Sequence, residues 1–379
     1  MVSSRRLLWA APLLFAWLGP PSATAGPADR PALRFEGGTG PEVPLAPDQY
    51  RPRFDPGGQA WESWEYAFRF PNGYTLLAQF QISNLGLGSH RGLVVGIILG
   101  PDGRSTLIKN GRARDSWTYE APGQGCTLKI AKHVLSLEPP RHRLHVQNSQ
   151  GEFTVEAESL TPSLRAGRIR LDASRFYDLT VLAPRLKARG SARFPGGPLL
   201  DLGEGVGVAL RSYSNLADYQ QAASVFRFHS FDPGVQLSLA EITTTAKHGS
   251  ERLGFLWMVR GSRVVFRSYD VDRRFTLTRR DAAGPGYPVP QALTLGAGRP
   301  DPAVSGQAKL ELRRRDDLLG WLDSALVRFV VRQFSHPVQY VFDAEYAFDV
   351  ETGGVREKLT GRALALCSIL NHPRKDRPW

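Results

Sequence analysis

Residues 62–82 read "ESWEYAFRFPNGYTLLAQFQI". Trp64, Tyr66, Phe68 and Phe70 fall on every second position, and so do Tyr74, Leu76, Ala78, Phe80 and Ile82. A period of two is that of a strand with one buried face. The Pro-Asn-Gly between the two runs is turn chemistry, because Asn and Gly accept the positive φ that a tight hairpin needs. The stretch predicts a β-hairpin whose aromatic face either packs a core or lines a cavity.

The same rhythm continues along the chain. "GLVVGIIL" (92–99) is closed by the turn "GPDG" (100–103), and "DSWTYEA" (115–121), "CTLKIAK" (126–132), "HRLHVQN" (142–148) and "EFTVEAESL" (152–160) follow between Gly/Pro turns. In the second half, "GVALRSYS" (207–214), "SVFRFHSF" (224–231), "VQLSLAEITTTA" (235–246), "GFLWMVRG" (254–261), "RVVFRSYDV" (263–271) and "QYVFDAEYAFD" (339–349) are strand-like. Many short strands at regular spacing predict an all-β fold of antiparallel barrels or sandwiches. A chain of 379 residues exceeds one ordinary core and implies two domains. The Gly/Pro stretch "GSARFPGGPLLDLGEG" (190–205) is the expected boundary, giving a first barrel over 59–200 and a second over 203–371, with a basic tail at 372–379. In this reading "QYVFDAEYAFD" is the second barrel's counterpart of "ESWEYAFRF".

One segment has helical spacing. In "DDLLGWLDSALVRFVVRQF" (316–334), Leu318, Leu319, Leu322, Leu326, Phe329 and Val330 share one face, and Asp316 or Asp317 suits the helix start. The expectation is an apolar helix before the last strands, with Leu318, Leu322, Leu326 and Phe329 as a gate.

The N-terminus carries targeting information. Arg5 and Arg6 precede the apolar run "LLWAAPLLFAWL" (7–18), and "PSATAG" (21–26) offers small residues for cleavage after Ala25. The expectation is an exported protein, with residues 26–58 as a Pro/Gly-rich lead-in. The formal charge is +12, and losing Arg5 and Arg6 with residues 1–25 leaves +10. Only 8 of the 48 basic residues are Lys, and the charges are scattered rather than gathered into a stripe or a recognised module. Nucleic-acid binding is therefore not expected, whereas transient contact with an anionic membrane surface is. An exported chain is able to oxidise its two cysteines, Cys126 and Cys367, into a bridge between domains; two buried thiols are the alternative.

Catalytic and cofactor motifs are missing: there is no G-x-S-x-G elbow, H-E-x-x-H, phosphate loop or dinucleotide fingerprint. His142 and His145 point to opposite faces of a predicted strand, so no metal site is expected, and no cofactor. The surplus is aromatic. Trp64, Tyr66, Phe68, Phe80, Trp117 and Tyr119 in the first half are the candidate ligand-lining residues. Phe226, Phe228, Trp257, Tyr340, Phe342 and Tyr346 are their counterparts in the second. A barrel of about eight strands is just wide enough to fill with side chains or to hold one small ligand.

Several motifs resemble the survival-factor family of tandem lipocalin-like proteins. They are "YPVPQALTL" (287–295), "AVSGQAKLEL" (303–312), the apolar helical segment, "HPVQYVFDAEY" (336–346) and "GGVREKLTGRALALCSIL" (353–370), in that order, with "SVFRFHSFDPGVQLSLAEITTT" (224–245) and "YTLLAQFQISNLG" (74–86) before them. A more distant resemblance is to carotenoid hydratases of the same double-barrel type, whose first strand carries a Trp-Trp-Tyr cluster; "SWEYAF" (63–68) has Glu65 where the second Trp stands. The resemblance implies two lipocalin- or calycin-like barrels and affinity for a hydrophobic molecule such as a sphingolipid- or isoprenoid-like lipid, with an indirect role in stress tolerance. Three readings follow: an exported lipid carrier, with the ligand in one barrel or between the two; a hydratase, cyclase or isomerase acting on a terpenoid or polyketide, for which Glu62, Glu65 and Asp115 are the nearest acids; or a solid, partner-binding double barrel. Strict alternation points Glu65 away from the Trp64 face. The oligomeric state is open.

Overall fold

The computed structural model describes residues 33–37, 45, 47–53, 58–85, 90–110, 115–121, 123, 125–283, 286–298, 302–321, 328–329, 332 and 335–371. Among these, the chain is almost wholly antiparallel β. The first sheet contains β1 (Phe35–Glu36), β2 (Trp61–Arg69), β3 (Thr75–Ser83), β4 (Arg91–Leu99), β5 (Ser105–Lys109), β6 (Trp117–Glu120), β7 (Cys126–Ile130), β8 (His133–Glu138), β9 (Arg141–Asn148), β10 (Gly151–Ser159), β11 (Leu164–Arg170), β12 (Phe176–Arg193) and β13 (Leu200–Ser214). The second contains β14 (Ala222–Ser230), β15 (Val235–Thr244), β16 (Arg252–Arg260), β17 (Arg263–Ser268), β18 (Val271–Arg280), β19 (Pro288–Gly298), β20 (Ala303–Asp317), β21 (Val338–Thr352) and β22 (Val355–Ile369).

The expected hairpin is present. β2 and β3 pair throughout, with Trp64 opposite Phe80 and Phe68 opposite Leu76. Gly73 turns the chain at φ +87, and Phe70 and Tyr74 close the turn through a 2.9 Å backbone bond.

Both sheets curl by the same plan. Strand order in the first is β5-β4-β3-β2-β13-β12-β10-β9-β8-β7-β6, and in the second β17-β16-β15-β14-β22-β21-β20-β19-β18. In each, the first long strand pairs with the last: β2 with β13, and β14 with β22. This gives two barrel-like domains in tandem, as expected. It also corrects two details. β13 belongs to the first sheet, so the turn at 194–199 lies inside that domain, and the chain crosses over at 215–221 through the short helix α1 (Asp218–Gln221). The counterpart of β2 is then β14, not the strand "QYVFDAEYAFD", which is β21 and corresponds to β12.

Three apolar clusters hold the fold. One fills the first barrel around Trp64, Phe68, Phe80 and Phe153. Another fills the second around Phe228, Tyr340, Phe342 and Phe348. The third lies between the sheets and contains Trp61, Ala67, Leu77, Val95, Tyr177, Trp257 and Val341. Each fully buried large apolar side chain contributes about 1.5–3 kcal/mol. β2 serves two clusters at once: its even positions face into the first barrel and its odd positions face the second barrel. Phe68 packs so closely on β13 that a Cβ at Gly207 would stand 2.3 Å from its ring.

The expected helix over 316–334 does not begin where predicted, although residues 328, 329 and 332, the described positions of its second half, are helical. Asp316 and Asp317 end β20, paired to Gln339 and Val338. A short 3-10 turn, Leu318–Trp321, follows. Strand pairing outcompetes helical spacing there. Leu318 is half-buried against the inter-sheet cluster, while Phe329 is exposed. Leu322 and Leu326 lie outside the described residues.

The cysteines are not bridged. Cys126 lies inside the first barrel and Cys367 inside the second, both as buried free thiols. Burial pushes the Cys126 thiol up to about 11. Its Sγ donates to the Tyr50 carbonyl at 3.4 Å. Denatured, unreduced protein is accordingly expected to take up two equivalents of iodoacetamide by intact mass. Uptake of none would show a disulfide that the fold does not allow.

Candidate functional site between the barrels

The aromatic faces are filled, not hollow. Trp64, Phe68, Phe80, Phe228, Tyr340 and Phe342 have 0% exposure. Walls around a ligand-sized void would keep part of their surface. Tyr66, Phe226 and Tyr346 are buried in the same clusters. Of the three remaining candidates, Trp117 packs half-buried at the margin of the first barrel's cluster and the other two lie elsewhere. Trp257 faces the other barrel in the inter-sheet cluster. Tyr119 is exposed and stacks on the half-buried Trp117 at 6.4 Å.

Most polar groups within the barrels are internally satisfied, although Trp64 Nε1 has no hydrogen-bond partner among the described residues. Glu62 shares the inner face with Trp64 and is fully buried. It accepts from Arg211 Nε at 2.6 Å and from the Arg53 backbone N–H at 2.8 Å. Arg211 also donates to the carbonyls of Gln49 and Arg51. Tyr66 meets His142 Nδ1 at 3.0 Å, and His142 Nε2 meets Ser159 at 2.9 Å. In the second barrel Arg273 pairs with Glu241 at 2.6 Å and lies over Phe226 and Phe275. Asp115 is an exposed residue of a loop, 3.8 Å from His90, and borders no aromatic pocket.

The seam between the sheets is different. Register sets Glu65, Gln79, Val95 and Lys109 directly opposite one another across β2, β3, β4 and β5. It sets Arg227, Leu366, Val341 and Arg314 opposite one another across β14, β22, β21 and β20. Cross-links show that the two rows face each other. At one end Arg227 Nε meets Glu65 Oε2 at 3.1 Å. At the other, Arg314 donates to Ser105 at 2.9 Å, Arg313 to the Gly100 carbonyl at 2.8 Å, and Lys109 to the Gly320 carbonyl. Between these polar pillars Val95 and Val341 are buried, but Gln79 and Leu366 keep accessible surface, as do Val225, Gln339 and Ser368 in the next row. The result is a packed seam with a partly exposed margin of apolar and polar groups, where Gln79 bonds Ser63 on one sheet and Gln339 bonds Ser368 on the other, each at 3.1 Å.

Glu65 is the partly exposed acid of this seam. Its side chain is 27% exposed, while that of its partner Arg227 is 6% exposed. Burial works against the charge of Arg227, but Glu65 and then Tyr177 outweigh it and hold the guanidinium above its ordinary value. Burial raises the Tyr177 hydroxyl, which bonds Ser212 at 2.9 Å. The ion pair therefore presents a carboxylate anchored by a buried guanidinium, with part of its own surface open. A group so placed is able to take a proton from a bound molecule or water and return it. Among the described residues no cluster of His, Cys, Asp and Glu suits a metal ion.

Two open grooves of about 370 and 470 Å³ run along β18–β20, lined by polar residues such as Asp272, Thr294, Ser305 and Gln307. None of the expected ligand-lining residues borders them.

Alternation in the sequence already pointed Glu65 off the Trp64 face. The missing information was that a second barrel covers that other face. The available signal was opposite charge at the midpoints of the two topologically equivalent strands, Glu65 in β2 and Arg227 in β14.

No family model and no curated protein matches the sequence. Solved structures do match in fold. The chain is 10% identical to CghA, solved with Sch210972, with a TM-score of 0.59 over 87% of this chain and 93% of that one. It is 13% identical to a putative AttH protein of Nitrosomonas europaea, with a TM-score of 0.57 over 86% of this chain and 99% of that one. It is 13% identical to kievitone hydratase of Nectria haematococca, with a TM-score of 0.54 over 83% and 89%. At these identities the likeness is one of fold: the chain is built as a double barrel of the kind seen in these three proteins.

Proposed function

We propose that the protein binds a hydrophobic small molecule of terpenoid or polyketide type between its barrels. It moves a proton on that molecule with Glu65 as the base, as a hydratase, cyclase or isomerase does. The observation that supports this is the half-open Glu65–Arg227 pair in an otherwise apolar seam. One fold neighbour is itself named a hydratase. In hydration, Glu65 takes a proton from water as the oxygen adds to a polarised double bond, and the proton returns to the neighbouring carbon. Arg227 fixes the carboxylate without touching the substrate. Hiding a few hundred Å² of apolar ligand surface against the partly exposed Val225 and Leu366 and their neighbours supplies several kcal/mol of binding.

The test compares wild type with Glu65→Gln in a screen of terpenoid and polyketide alkenes, with binding of an apolar fluorescent probe measured alongside. Glu65→Gln is expected to lower turnover by about 10²–10⁴-fold while probe affinity changes by less than about threefold (under 0.7 kcal/mol). A carrier needs only the apolar walls: wild-type binding without turnover, unaltered in Glu65→Gln, would favour that reading instead. Failure of wild type to bind any apolar probe would reject both.

A further inference from the structure

The outer face of the second barrel holds a second site, away from the seam. The two grooves of about 370 and 470 Å³ along β18–β20 share three lining residues, Asp272, Gly296 and Ser305. Those three stand directly opposite one another across β18, β19 and β20. The grooves are therefore two halves of one trough, each with the volume of a small-molecule site. Gln307 lines one end and Ala303 the other. Along β20 these ends lie about 14 Å apart. Three glycines line the trough, and the fold explains two of them. Gly298 has φ +82, and a Cβ there would stand 2.4 Å from the Pro302 carbonyl oxygen. A Cβ at Gly306 would stand 2.2 Å from the Ala347 carbonyl oxygen. At Gly296 a Cβ would meet nothing nearer than the Asp272 carbonyl oxygen at 4.0 Å. Glycine inside a strand weakens it, and where packing does not call for one it commonly marks the close approach of a ligand.

We propose that this trough binds a short oligosaccharide, with a sugar ring lying on the bare backbone of Gly296 and its hydroxyls bonded to the walls. Neighbouring sugar hydroxyls each donate and accept, and the trough offers both roles side by side. The Asp272 carboxylate accepts only. Arg274 braces it, with Nη2 2.8 Å from Oδ2. Thr294, Ser305 and Gln307 donate and accept, and among the described residues their side chains make no hydrogen bond within the protein. An apolar ligand would strip water from these groups and give nothing back. Asp270, Asp272 and Glu351 outnumber Arg274 in the lining, which disfavours an anionic ligand. The chemistry therefore suits a neutral or amino sugar chain. This site is independent of Glu65 and of the reaction proposed there.

The test applies the full protein to a printed array of neutral, amino and uronic oligosaccharides that includes maltotriose, cellotriose and chitotriose. Sugars that bind are then titrated calorimetrically. Wild type is expected to bind at least one neutral or amino oligosaccharide. Gly296→Val places a side chain in the open space over the floor. It should weaken that binding by at least about tenfold, while the urea midpoint stays level or rises because Val suits a strand better than Gly. Gln307→Ala, a change on an exposed side chain, should weaken binding by roughly threefold, and it carries the test if Gly296→Val fails to fold. Glu65→Gln should bind sugar as wild type does, so the outcome is separate from that of the catalytic proposal. Binding of no sugar on the array, a preference for the uronic members, or binding undiminished in both trough variants overturns the proposal. So does binding of spermine, a polyamine, with no sugar bound.

Discussion

Replacing Glu62 by Leu is expected to destabilise the protein by about 3–5 kcal/mol, the cost of leaving one member of a buried ion pair without its partner. Glu62 has 0% and Arg211 2% side-chain exposure. The carboxylate is the acid that Arg211 meets, and it also accepts the Arg53 N–H. Without it the guanidinium keeps only the Gln49 and Arg51 carbonyls, and its positive charge stays inside the barrel over Trp64. Arg53, whose charge burial already disfavours and Arg211 disfavours further, loses one of its two compensating carboxylates, keeping Asp178 at 3.0 Å. The double variant Glu62→Leu/Arg211→Met removes both charges and should recover most of the loss, because the pair itself is worth little against an apolar replacement. Urea denaturation midpoints of the four proteins in this cycle measure it. A Glu62→Leu protein within about 1 kcal/mol of wild type would show that Arg211 is solvated, contrary to its position in the fold.

The second large effect is on acid stability. His133 and His142 are pushed down to about 4 and His229 to about 3, each first by burial, with His145 adding to the effect at His133 and Arg227 at His229. Geometry agrees for two of them: Nδ1 of His133 accepts from the Gln147 N–H, and His142 is held between Tyr66 and Ser159. In the unfolded chain all three take protons near pH 6.5. Between about pH 6.5 and 4 the unfolded state thus holds more protons, so stability falls as pH falls. Each histidine contributes up to about 1.4 kcal/mol per pH unit, and the three together up to about 4. Above pH 7 they contribute no slope. Denaturation midpoints at pH 7.5, 6.0, 5.0 and 4.5 should fall steeply, and His142→Gln should remove about a third of the slope. Constant stability from pH 7 to pH 5 would mean that these imidazoles are hydrated.

Which parts of the structure were legible in the sequence follows from the range of the interactions involved. The β2–β3 hairpin was readable because its signals are local: a period of two on each side of an Asn-Gly turn. The inward aromatic faces followed from the same period. Three things were hidden because they depend on pairing with distant chain. β13 looks like the opening of a second domain until it is paired with β2, which only the curl of the sheet requires. Asp316 and Asp317 look like a helix start, yet they extend β20 because Gln339 and Val338 are there to pair with them. The odd positions of β2 look solvent-facing, yet Ser63 and Ala67 are buried, because β14 and its neighbours pack on them. The seam is hidden for the same reason: Glu65 stands plainly in the sequence, but its partner Arg227 lies 162 residues away and the facing surface includes β21 and β22. The aromatic excess, taken as ligand lining, is what filling two barrels takes.

The most direct measurement is a crystal structure of the protein with β-ionone, a terpenoid ketone, bound. The molecule should lie at the seam between the sheets, beside Glu65 and against Val225 and Leu366. Density inside either barrel, among Trp64 and Phe80 or among Phe228 and Phe342, or in the outer groove along β18–β20, would contradict an inter-barrel site.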